Sequence, residues 1–124
     1  MSRLRILVVD DHEHIRSLIR SFLAGQAELD VCGEAVDGLD AIEKAKTLNP
    51  DLIILDLSMP HMNGLEAARV LKNMLPSVPI ILFTLHKAAL VASDIANSGI
   101  NAVLSKSDHL DILADHARRL LGSV

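Results

Sequence analysis

Leu52-Ile53-Ile54-Leu55 is an unbroken aliphatic run that leads straight into Asp56, with Pro50 just before it and Pro60 and Gly64 soon after. A short apolar run between turn residues reads as a strand covered on both faces. Such a strand needs neighbours in a sheet and helices above and below it. Asp56 then stands at the mouth of a buried strand, where it is a nucleophile, a metal ligand or the cap of a loop. The same design recurs along the chain. Ile6-Leu7-Val8-Val9 runs into Asp10-Asp11, and Ile80-Ile81-Leu82-Phe83 runs into Thr84. Val31 to Val36 carries Glu34 and reads as an edge strand, and Ala102-Val103-Leu104 is a short last strand before Ser105-Lys106.

Between the strands the apolar period changes to that of helices. Ile15, Leu18, Ile19 and Phe22 fall at i, i+3, i+4 and i+7, an amphipathic helix that closes near Gly25. After an Asp37-Gly38 turn, Ala41, Ile42, Ala45 and Leu48 mark a second helix, ended by Asn49-Pro50. Ala67, Val70, Leu71 and Met74 mark a third. An alanine-rich helix is expected from about Lys87 to Ser98, with Gly99 as its stop. Leu110, Leu113, Ala117 and Leu120 mark the last, with Ser107 or Asp108 as its N-cap. Strand and helix alternate five times, so the chain is α/β: a doubly wound, five-stranded parallel sheet with five helices on both faces. Five units fit the strand order 2-1-3-4-5, whose switch point lies between strands 1 and 3. The 124 residues are expected to form one domain, 1–124.

Composition excludes several functions. The net charge of -4 argues against nonspecific binding of nucleic acid or an acidic membrane. The lone cysteine, Cys32, rules out an internal disulfide or a Cys-based zinc framework and is expected to be a small buried residue. No apolar run approaches the roughly 20 residues of a membrane span. No signal-peptide core precedes the first strand, so a cytoplasmic location is expected.

In the order 2-1-3-4-5, strands 1 and 3 are neighbours, and Asp10, Asp11 and Asp56 converge at the switch point. Thr84 and Lys106 reach the same edge from strands 4 and 5. Three carboxylates this close stay ionised together only with a cation, and an all-oxygen cluster suits Mg²⁺. Lys106 adds a fixed positive charge. An aspartate beside Mg²⁺ and lysine is equipped to attack a phosphoryl group and form an acyl phosphate. Thr84 can donate a hydrogen bond to a phosphoryl oxygen.

Taken together, Ile6-Leu-Val-Val-Asp-Asp-His12, Pro50-Asp-Leu-Ile-Ile-Leu-Asp-Leu-Ser-Met-Pro60 with Gly64, Pro79-Ile-Ile-Leu-Phe-Thr84 and Leu104-Ser-Lys106 resemble the receiver domain of two-component response regulators. The resemblance covers nearly the whole chain and implies a flavodoxin-like fold. It implies Asp56 as phosphoacceptor, Asp11 as a direct Mg²⁺ ligand, Asp10 as a ligand through water and the Ser58 carbonyl as another. It implies Thr84 as the switch hydroxyl, Lys106 as the phosphate-pairing lysine, and a phosphohistidine on a sensor histidine kinase as donor. The style of Gly99 to Asp108 is similar to receivers that precede a helix-turn-helix DNA-binding domain, which points to regulated transcription.

Three positions depart from the family pattern. Val103 stands where receivers often carry Tyr or Phe, bulky Leu85 follows the switch threonine, and Ser107 follows the lysine in place of Pro. With no aromatic ring to rotate, the switch is expected in the loop from Thr84 to Ala89, which includes Leu85 and His86. The surface of the fourth helix, fifth strand and fifth helix is then the candidate for phosphate-dependent partner binding or homodimerisation. Among the six histidines, none is expected to ligate metal, and His61 and His86 are placed in active-edge loops. Two other readings compete. A haloacid-dehalogenase-like phosphatase also uses a strand-end Asp, but it needs a second acid where this chain has Ser58. A binding module of the same fold that works without phosphate has no need of the full Asp, Thr and Lys set. A nucleotide-binding Rossmann domain is excluded because no GxGxxG follows the first strand.

Overall fold

The computed structural model describes residues 3–85, 90 and 92–122. The elements run β1 (Leu4–Val9), α1 (Glu13–Ala24), β2 (Leu29–Ala35), α2 (Gly38–Leu48), β3 (Leu52–Leu55), α3 (Gly64–Met74), β4 (Ile80–Thr84), α4 (Ala92–Ser98), β5 (Ala102–Ser105) and α5 (Leu110–Leu120). All strand pairs are parallel, and the order is β2-β1-β3-β4-β5. The doubly wound expectation holds in both element count and strand order.

The period of two along each strand sorts the core into two layers. Ile6 and Val8 of β1 face α1 and α5, in a cluster with Ile19, Leu23, Ile54, Ile81, Leu113 and Ala117. Leu7 and Val9 face α2 and α3, with Ala41, Ala45, Ile53, Leu55, Ala67 and Leu71. Alanines line the helices of the second layer, which lets those helices approach the sheet closely. The core is aliphatic, with Phe83 buried in the first layer.

Several helix ends follow local chemistry. Asp37 caps α2 by accepting from the Asp40 N–H at 2.8 Å. Asn63 and Glu66 form a reciprocal capping box on α3. Asn49 closes α2 in a left-handed conformation, φ 47°.

Some expectations need correction. Leu18 is exposed, and the buried stripe of α1 runs through Ile19 and Leu23. Val70 lies at the exposed edge of α3. Strand β2 begins at Leu29 and ends before Val36. Cys32 is half-buried, and the β1–β2 register shift between Ile6 and Leu7 leaves it without a partner on β1. Neither Ser107 nor Asp108 caps α5: His109 holds the N-cap position, and Asp108 turns back to accept from the Ser105 N–H. The described part of α4 starts at Ala92; His86 and Lys87 lie outside the described residues.

Candidate functional site

Register assembles the site. Val9 pairs with Leu55 across β1 and β3, so the next residues, Asp10 and Asp56, leave the sheet side by side. Their main chains stay anchored to it. The Asp10 N–H donates to the Ala35 carbonyl and the Asp56 N–H to the Val9 carbonyl, both at 3.0 Å. On the far side Thr84 pairs with Ser105, and the Lys106 N–H donates to the Thr84 carbonyl at 2.9 Å. Lys106 thereby leaves β5 at the height of the two acids.

Asp10 and Asp56 are only 2% and 4% exposed. The Lys106 Nζ lies 2.6 Å from Asp10 Oδ2 and 3.3 Å from Asp56 Oδ1, so one buried ammonium is shared by two buried carboxylates. Burial, and then the charge of Asp10, push the Asp56 carboxyl above the usual aspartate range, against the pull of Lys106 and of the Leu57 N–H. The result is a carboxylate more basic than an ordinary one, held at the opening of the sheet.

Asp11 completes the acid set. One carboxylate oxygen each from Asp10, Asp11 and Asp56, together with a ring nitrogen of His12, all lie within 4.8 Å of one another. Three carboxylates at that spacing, two of them nearly dry, form a donor set that fits a hard divalent cation. Ser58, whose carbonyl was expected to join them, lies exposed on the loop between β3 and α3.

That loop is tightly held. The Gly64 N–H donates to the Leu57 carbonyl at 2.8 Å. A Cβ on Gly64 would lie 2.2 Å from the Asp56 carbonyl oxygen and 2.9 Å from the Leu57 Cα, so only glycine fits. His61 sits in the left-handed region at φ 69°, and its Nδ1 is 3.0 Å from Asp37 Oδ2. The Asp40 N–H, and then His61, hold the Asp37 carboxyl below its usual range. His61 thus ties the loop of the acidic site to the start of α2.

Thr84 is fully buried at the end of β4. Leu85 is 68% exposed. With His12, His14, Ile15 and Lys106 it lines an apolar cleft of about 300 Å³ beside the site. Val103 is half-buried against the layer of α2 and α3. His86 lies outside the described residues.

The structure also recruits residues that the sequence did not single out. Arg16 Nη1 donates to the Asp10 carbonyl at 2.7 Å, and its Nε to Glu34 Oε1 at 3.0 Å. Arg20 reaches the same Glu34 carboxylate. This braces the turn after β1 from α1 and the edge strand. Its signal in the sequence is faint: Arg16 lies one helical turn after His12, whose carbonyl accepts the Arg16 N–H. His12, which directly follows Asp10-Asp11 in the sequence, lies beside both acids.

Comparison with known proteins agrees with this geometry. The response regulator receiver domain family matches residues 6–118. Response regulator protein VraR of Staphylococcus saprophyticus is 37% identical over 116 residues, which is 94% of this chain and 56% of that protein. The chain therefore spans about half the length of such curated relatives. A LuxR-family two-component response regulator from Aurantimonas superposes with a TM-score of 0.90 at 27% identity, over 98% of this chain and 86% of that one. TrrA of Thermotoga maritima, solved in complex with Mg(2+)-BeF, does so with a TM-score of 0.84 at 32% identity, over 97% and 99%.

Proposed function

Since the chain belongs to the receiver domain family of two-component response regulators, we propose that it accepts a phosphoryl group on Asp56 from the phosphohistidine of a sensor histidine kinase. The observation that carries this reading is the pair of buried carboxylates sharing Lys106, with Asp56 raised in basicity at the open edge of the sheet. A carboxylate oxygen of Asp56 attacks phosphorus and the phosphorus–nitrogen bond breaks. The donor ring, protonated on its other nitrogen, leaves with the bonding pair as neutral imidazole. The Lys106 ammonium neutralises charge on the transferred group, and the Thr84 hydroxyl donates to one of its oxygens. Asp10, Asp11, Asp56 and the Ser58 carbonyl would hold Mg²⁺, which when bound supplies further charge neutralisation at the phosphoryl oxygens.

The domain is a phosphoryl acceptor that promotes its own phosphorylation and dephosphorylation, rather than an enzyme acting on a free substrate. Family membership and Ser58 two residues after Asp56 together set the phosphatase reading aside. Among the described residues no helix is long and apolar enough to cross a membrane. We place the protein in the cytoplasm, with an attached or partner output such as transcription. The surface of α4, β5 and α5 is its phosphate-dependent interface for a partner or a second copy. In the experiment, protein with Mg²⁺ and acetyl phosphate is weighed intact. The parent should gain one phosphoryl group and folded Asp56→Asn none. An equal adduct on the variant would overturn the assignment of Asp56. No adduct on either, with no response to beryllofluoride, would favour the phosphate-independent module.

A further inference from the structure

We propose that His12 is a nitrogen ligand of the divalent cation and shifts the site's preference from Mg²⁺ toward first-row transition metals. This rests on the reading above that Asp10, Asp11 and Asp56 bind a divalent cation. The His12 Nδ1 lies 3.1 Å from Asp11 Oδ1 and 3.2 Å from Asp10 Oδ1. Adjacent ligands on an octahedron about 2.1 Å from a metal are roughly 3.0 Å apart, and opposite ones roughly 4.2 Å. The two nitrogen–oxygen distances match those of neighbouring ligands on one ion, and the Asp10 contact is also of hydrogen-bond length. The full spread of four donor atoms, within 4.8 Å, closes onto one ion with shifts of a few tenths of an ångström. The ring is not there by chance of a loose side chain. The His12 N–H donates to Asp10 Oδ1 at 2.9 Å, which turns the residue toward the acids. The side chain is 66% exposed, which leaves an approach from solvent.

An imidazole changes what such a site selects. Carboxylate and carbonyl oxygens suit Mg²⁺, whereas imidazole favours the later transition metals, and affinity rises from Mn²⁺ through Co²⁺ to Ni²⁺. A site of oxygens alone discriminates little beyond charge and size. Adding one nitrogen should raise affinity for Co²⁺ while leaving Mg²⁺, which coordinates nitrogen poorly, nearly unchanged. A different role for the same contacts is that the ring only hydrogen-bonds to the acids and so competes with any cation. The two roles make opposite predictions.

The test is calorimetric titration of MgCl₂ and CoCl₂ into the parent, His12→Ala, His14→Ala and Asp11→Ala proteins. Ligation predicts that His12→Ala weakens Co²⁺ about tenfold and Mg²⁺ less than twofold, with His14→Ala like the parent. Imidazole ¹⁵N spectra with ZnCl₂ should then move the His12 Nδ1 signal directly. Equal change for both ions in His12→Ala, or tighter binding of both, would overturn the proposal while the acidic site stands. If neither ion binds the parent with a dependence on Asp11, the reading of the site itself fails.

Discussion

Replacing Lys106 by methionine removes the ammonium that Asp10 and Asp56 share and leaves both carboxylates buried, at 2% and 4% exposure. At an effective dielectric near 20, unit charges 4 Å apart interact by about 4 kcal/mol. The ammonium's two contacts are closer, at 2.6 and 3.3 Å, so removing it leaves two buried carboxylates without their shared counter-charge. Deleting one partner of a buried pair destabilises by about 3–5 kcal/mol. The lower end applies, because burial and Asp10 already raise the Asp56 carboxyl, and loss of the lysine makes proton uptake there easier still. A loss of about 3 kcal/mol corresponds to roughly 10 °C in Tm for a domain of this size.

The pH dependence has a definite sign. The Asp56 carboxyl titrates above its usual range in the folded protein, and loss of Lys106 raises it further. In the window between the unfolded and folded values the folded state binds more protons, so stability falls as pH rises through it. Lys106→Met should therefore lose least near the ordinary aspartate range and progressively more as pH rises through the raised folded value. Urea unfolding in EDTA across that range measures the loss. Asp56→Asn in the same background should recover much of it, since one buried charge is gone. A cation in the acidic set should also recover part, by mass action on the folded state. A loss that is equal at both ends of the range and unchanged by Asp56→Asn would refute the electrostatic account and leave only lost packing of the lysine stem.

Gly64→Ala places a methyl group 2.2 Å from the Asp56 carbonyl oxygen, so it should destabilise by more than about 2 kcal/mol and reduce acetyl phosphate labelling; a parent-like melting curve would show that the loop gives way instead. Beryllofluoride with Mg²⁺ should move the amide resonances of Leu85 and of α4, β5 and the start of α5. Shifts confined to the loops that bear Asp10 and Asp56 would remove the proposed interface.

Strands β1, β3, β4 and β5 were legible because they are nearly aliphatic runs that lead into polar residues whose type revealed the edge, whereas the polar edge strand β2 (Leu29–Ala35) gave its bounds away less clearly. Register then followed from topology: Asp10 and Asp56 meet because Val9 and Leu55 are paired. Legibility failed where tertiary contacts outrank local pattern. Leu18 fits the helical period of α1 yet faces solvent, since the sheet below is already covered by Ile15, Ile19, Phe22 and Leu23. Asp108 has the chemistry of an N-cap but is spent on the Ser105 N–H. His61 and Asp37 are far apart in sequence, and no short motif announces that the fold brings them together. Arg16 looks like the polar face of an amphipathic helix until its guanidinium is seen on the Asp10 carbonyl.

The two flanks of Asp56 also differ in stiffness. Toward α3 there is no slack. The first turn of that helix abuts the residue's own carbonyl through Gly64, the capping box closes the turn, and His61 moors the intervening loop to α2. Toward β5 the contact is an ammonium on a flexible four-carbon stem. A load applied at the Asp56 carboxylate meets a fixed abutment on one side and a compliant arm on the other. This asymmetry favours the proposed interface: a displacement at Asp56 would pass across the sheet toward β4 and β5 more readily than into α3.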